Sequence, residues 1–201
     1  MPGITVPAPS QAPKGQGDAE FEVEELPGPS YFPRGAGEEQ FANIGDAVRS
    51  YFAALPSMVP LSDAEKGLIA ERCLSAFPVT GLLDPSILVS SGERFGHWVE
   101  ENYAVAQWHV EVAVEVASSG PRAAGGDWDG TIDLVLQLPG GGVVVIDHES
   151  APIRQERCAA KSGQYAGQLN AYGEVLASAG ETVESMWIHS PLAGVVAILF
   201  L

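Results

Sequence analysis

Positive charge is scarce in this chain. Its 201 residues hold 10 Lys and Arg against 26 Asp and Glu, a formal charge of −16. No basic patch is dense enough to grip a nucleic-acid backbone unaided, so autonomous DNA binding is not expected. Cysteine is nearly absent. Cys73 and Cys158 are too few for a disulfide framework or a four-cysteine metal site, and a reducing, cytoplasmic setting is expected. Long apolar runs are missing as well: GVVVI and GVVAILFL are strand-sized, far below the roughly 20 residues of a membrane span. The opening MPGITVPAPS has neither a basic region nor an apolar stretch, so no secretory leader is expected. No GxxxxGK[ST] pattern occurs, which excludes an ATPase motor within these residues.

Apolar residues nonetheless make up 46% of the chain, enough for one sizeable core. They are unevenly placed. Residues 1–40 carry seven acids and two bases among many Pro and Gly, a composition that buries too little apolar surface to offset its ordering entropy. That stretch reads as a tail or linker, with a docked piece possible at Phe21–Leu26 or Tyr31–Phe32. From Ile44 onward the spacing is helical: Ile44, Val48, Tyr51, Phe52 and Leu55 share one face. Ser62 to Glu65 spells a capping box before a helix carrying Leu68, Ile69, Cys73 and Leu74. Asp84-Pro85 opens another helix, and Phe95, Trp98, Val99 and Tyr103 continue the helical half.

At Gln107 the period becomes two. In WHVEVAVEV the residues Trp108, Val110, Val112, Val114 and Val116 alternate with His109, Glu111, Ala113 and Glu115. GTIDLVLQL, the turn PGGG and VVVIDHES then read as an antiparallel hairpin. Residues 154–179 read as one long helix closed by Gly180, and two strands, VESMWIH and GVVAILFL, finish the chain. The order predicts an α/β (α+β) domain over 41–201, with a helical first half and a central mixed sheet flanked by helices.

Two aspartates interrupt apolar strands. Burying Asp133 and Asp147 beside Val and Ile costs several kcal/mol unless each is hydrogen-bonded, paired or metal-bound. A turn centred at Gly140–Gly141 sets position 133 opposite 147, so the two carboxylates are cross-strand neighbours. Oxygen ligands of that kind favour Mg²⁺ or Mn²⁺. Glu149, two residues past Asp147, falls on the same strand face, and Glu111 projects from the preceding strand. Four carboxylates, Glu111, Asp133, Asp147 and Glu149, are thus expected near one another, an arrangement suited to metal-assisted phosphodiester hydrolysis. For Glu111 a solvated strand face is an equally good account. His148 points away from Asp147 and is expected to pack against a helix.

The series EVAV, GTIDLVL, VVVIDHES, QYAGQLNAY and WIHSPLAG resembles the PD-(D/E)XK nuclease domain that ends RecB/AddA-type helicase–nucleases, and the resemblance runs from about Ile44 to Leu201. It implies a restriction-endonuclease-like fold, Asp133 and Asp147 as metal-binding acids, and Glu111 as the acid of the preceding strand. Gln168 and Tyr172 match the family's Gln-x-x-x-Tyr pattern, which lines the site. Two departures stand out. The family's lysine after the second acid is Glu149 here, and its metal-facing histidine on the early helix is Arg49. Lys161 is too ordinary a surface lysine to be counted on as a relocated cation.

Three functions follow as expectations. The first is a nuclease-fold domain of a DNA repair or recombination helicase–nuclease with hydrolysis weak or lost. The second is an active Mg²⁺-dependent exonuclease or endonuclease using Glu149 for lysine. The third is an acidic protein-interaction module on a degenerate nuclease fold. Only five bases follow position 90 against fourteen acids, so DNA contact is expected to need a helicase domain or a partner subunit.

Overall fold

The computed structural model describes residues 21–33, 35–58, 61–79, 81–105, 107–116 and 128–199. Strands β1 (Phe21–Glu25), β2 (Gln107–Val116), β3 (Trp128–Gln137), β4 (Gly142–His148), β5 (Thr182–Ser190) and β6 (Val195–Leu199) form one sheet in the order β1-β6-β5-β4-β3-β2. The sheet is mixed: β4 and β5 are parallel and all other neighbours are antiparallel. Helices α1 (Glu38–Ala54), α2 (Asp63–Ser75) and α3 (Pro85–Asn102) precede β2, and α4 (Cys158–Ser162) and α5 (Ala166–Ser178) connect β4 to β5. An intervening helix is what a parallel pair requires.

The helix ends follow the sequence signals. Ser62 accepts the Glu65 backbone N–H while the Glu65 carboxylate accepts the Ser62 N–H, the reciprocal capping box. Asp84 caps α3 by accepting the Ser86 N–H, with Pro85 at the first helical position. Beyond α5, Gly180 takes φ +94°, and the N–H groups of Gly180 and Glu181 donate to the carbonyls of Ala177 and Leu176. That pairing is a Schellman closure, and it needs a residue free of a Cβ penalty.

Helices cover both faces of the sheet. On one face Ile44, Val48 and Phe52 of α1 and Leu88 and Phe95 of α3 pack with Leu134, Leu136, Val144, Ile146 and Val196. On the other, Leu169, Tyr172 and Leu176 of α5 pack with Val135, Val143, Val145, Met186 and Ile188. All seven residues of β4 are buried, as expected for a strand covered on both sides. Among the described residues no helix is long and apolar enough to cross a membrane.

Three expectations are corrected. The assigned tail ends too late: Phe21–Glu25 pairs with β6, Leu26 is buried in the first core, and Arg94 donates to the Pro29 carbonyl. Here partner groups from α3 and β6 supply what local composition lacks, while residues 1–20 lie outside the described part. The helix expected over 154–179 is broken into a 3₁₀ turn (Gln155–Arg157), α4, a second 3₁₀ turn (Gly163–Tyr165) and α5. Gly163 caps α4, and Ser162 turns its hydroxyl back onto the Cys158 carbonyl, both weak points for a continuous helix. Finally, the apolar face of β2 is not continuous. Trp108 and Val110 pack with the first core, Val112 and Val114 with the second. The change occurs at Glu111, whose φ of +50° rotates the strand.

Candidate functional site

The hairpin register agrees with the spacing argument. Leu134 faces Ile146 and Val135 faces Val145, so one further step sets Asp133 opposite Asp147 at the mouth of the β3–β4 pair. Both side chains are buried. They reach different neighbours. Asp133 accepts the His148 backbone N–H at 2.8 Å and lies 3.5 Å from the Arg49 guanidinium. Asp147 receives long contacts of 3.4 Å to each oxygen from the Gln168 amide.

Those partners come from the covering helices. Arg49 stands one turn beyond Gly45, where α1 approaches the segment at Ser150–Ala151 closely. Gln168 and Tyr172 share one face of α5. The Gln168 amide donates to the Tyr172 hydroxyl at 2.9 Å, and that hydroxyl donates to the Thr131 carbonyl at 2.9 Å. This chain ties α5 to β3 beside Asp147. The Gln168 carbonyl oxygen is buried with no hydrogen-bond partner among the described residues.

Asp133 titrates above the ordinary carboxylate range. Burial is the main cause, opposed by Arg49 and the His148 N–H, and Glu111 adds to the rise. Glu111 therefore does approach Asp133, as the register between β2 and β3 requires, although its own side chain is exposed.

The four-carboxylate cluster does not assemble. Among the described residues no three His, Cys, Asp or Glu side chains are placed to hold a metal ion. Glu149 follows directly on His148, the last residue of β4, so strand alternation no longer fixes its face. It is half-buried past the strand end, its N–H donating to the His189 carbonyl at 2.8 Å. Lys161 sits 5.3 Å from the Tyr165 ring centre, a contact that gives it no part in the acid pair. As arranged, the residues fit a divalent ion poorly: one carboxylate already faces a guanidinium and the other is held by an amide.

His148 packs as expected, 4.9 Å from the Phe52 ring and 5.4 Å from Phe95. The sequence reasoning missed its partner. His189 faces His148 in the parallel β4–β5 register, the two Nδ1 atoms are 3.0 Å apart, and His189 stacks on Phe95 at 4.2 Å. The 41-residue separation carries no local signal; only the adjacency of β4 and β5 reveals the pair. Burial pushes His148 down to about 3 and His189 well below its ordinary value, so both rings are neutral at physiological pH.

Neither a family model nor any curated protein sequence matches the chain.

Proposed function

We propose that the chain is a restriction-endonuclease-like, PD-(D/E)XK-type domain of a DNA repair or recombination helicase–nuclease in which phosphodiester hydrolysis is weak or lost. The observation that carries this reading is the Arg49 guanidinium 3.5 Å from Asp133. A fixed positive charge stands where a hydrolytic site of this type needs a displaceable Mg²⁺ or Mn²⁺. Support for the nuclease ancestry comes from the opposed Asp133 and Asp147 with Gln168 and Tyr172 beside them on α5. What the residues do chemically is limited. Gln168 orients the Asp147 carboxylate, the His148 N–H and Arg49 fix Asp133, and Glu149 adds negative charge instead of the cation a scissile phosphate requires.

Binding is the direct test of the domain's dependence on others. With a charge of −16, few cations are available to release counterions from DNA. Anisotropy titration of the isolated chain at physiological salt is expected to give duplex affinity weaker than about 1 μM, comparable to nonspecific binding. A submicromolar constant at that salt would show an autonomous DNA-binding protein and favour the active enzyme.

A further inference from the structure

A concavity separate from the acid pair lies beside the segment that leaves β4. It is a cleft of about 340 Å³, with Ser30 and Phe32 on one side and Ile153, Arg154, Gln155 and Glu156 on the other. That volume falls in the lower range of small-ligand sites and suits one nucleoside. The cleft stands at the carboxyl end of the parallel β4–β5 pair, where open α/β sheets bind their ligands. From this geometry we infer that the cleft receives an unpaired guanine base, carried by a single strand or by a free nucleotide.

The walls are fixed in place before any ligand arrives. The Tyr31 N–H donates to the Leu192 carbonyl at 2.7 Å, its hydroxyl donates to the Leu82 carbonyl, and Phe32 meets Phe41 edge-on at 5.5 Å. Opposite, the Arg154 carbonyl accepts the Arg157 N–H at 2.9 Å and the Cys158 thiol at 3.7 Å. Arg154 lays its guanidinium over the Phe32 ring, 4.5 Å from its centre. A flat cation is thereby held at the cleft, and a base stacks on a guanidinium plane as it does on an aromatic ring. The polar groups give the selectivity. The side chains of Ser30, Gln155 and Glu156 make no hydrogen bond or ion pair among the described residues, yet all three line this one space. A carboxylate only accepts, so Glu156 selects a base edge with two adjacent donors. Guanine has that edge at N1 and N2, next to an O6 acceptor suited to the Gln155 amide. The other bases set an acceptor beside each donor group, and a carboxylate repels it.

Guanosine and adenosine monophosphate carry the same phosphate, so the difference between them isolates the base. The ¹⁵N-labelled full chain is titrated with each, and the Gln155 side-chain amide resonances are followed. The expected result is a saturable shift, with the guanine nucleotide bound at least about fivefold more tightly than the adenine one. Glu156→Gln is expected to remove that preference. Arg154→Ala is expected to weaken both nucleotides at least about fivefold through the lost stacking plane. Both side chains are exposed, so the melting temperature of each variant is expected to stay that of the wild type. A thymidine pentamer with one central guanine distinguishes the carriers: the same shift supports a strand, and a shift with the mononucleotide alone supports a free nucleotide. No saturable shift, equal binding of the two nucleotides, or a guanine preference that survives Glu156→Gln would each overturn the inference. Neither metal nor hydrolysis enters the readout, so its failure and the failure of the nuclease-fold reading are separate results.

Discussion

Incubated with linear DNA and Mg²⁺ or Mn²⁺, the chain is expected to cleave at least about 10²–10³-fold more slowly than the double variant Glu149→Lys with Arg49→His. Two separate defects underlie this. An ammonium at position 149 would stabilise hydroxide and the charge developing on the phosphate, whereas a carboxylate opposes both. Removing one such electrostatic group typically costs on the order of 10²–10³ in rate. The second defect is Arg49, which cannot deprotonate and sits 3.5 Å from the acid that would hold the metal. Glu149→Lys alone repairs only the first, so each single variant is expected to fall short of the double. The readout is the release of acid-soluble nucleotides from end-labelled duplex and single-stranded DNA. Cleavage by the unmodified chain at a rate matching the double variant would mean that Glu149 is a working substitute.

The second large effect is on stability. His148 and His189 are buried neutral, with Phe52 and Phe95 against their rings and the Arg49 and Arg94 charges further opposing protonation. In the unfolded chain both titrate near about 6.5. Because their folded values are depressed, the unfolded state binds more protons below that pH. Their contribution is therefore complete above about pH 6.5 and is lost as pH falls from there toward about 3. His148 contributes about 1.4 kcal/mol per pH unit in that window, and His189 acts in the same direction. At pH 5, one and a half units below about 6.5, His148 alone removes about 2 kcal/mol, a sizeable part of the stability of an ordinary domain. Asp133 acts in the opposite direction, since its raised folded value favours protonation at low pH, but it is one group against two. Urea unfolding at pH 7, 6 and 5 checks this. A stability unchanged across those three values would contradict it.

Legibility from the sequence was uneven, for physical reasons. The hairpin register was readable because a Gly-rich turn fixes which residues face each other, and this placed Asp133 opposite Asp147. Caps at Ser62, Asp84 and Gly180 were readable because their signals lie within a few residues. Gln168 beside Asp147 followed from the family resemblance, and α5 brings the two together. What failed depended on distant chain. The docked piece offered at Phe21–Leu26 forms as β1 because β6 pairs with it and the Trp98 indole donates to Glu24, partners that local composition does not show. The turn of β2 at Glu111 and the His148–His189 pair were likewise hidden, since each depends on neighbouring strands rather than on the local pattern.

The central claim is that Arg49 stands in for the divalent ion at the acid pair, and calorimetric titration with Mn²⁺ tests it most directly. Two unit charges about 4 Å apart repel by about 4 kcal/mol at an effective dielectric of 20, so removing the guanidinium is a large change. The wild-type chain is expected to bind Mn²⁺ weakly, Arg49→His at least about tenfold more tightly, and Asp147→Ala in that background not at all. Wild-type binding as tight as that of Arg49→His, or binding that survives Asp147→Ala, would contradict the account.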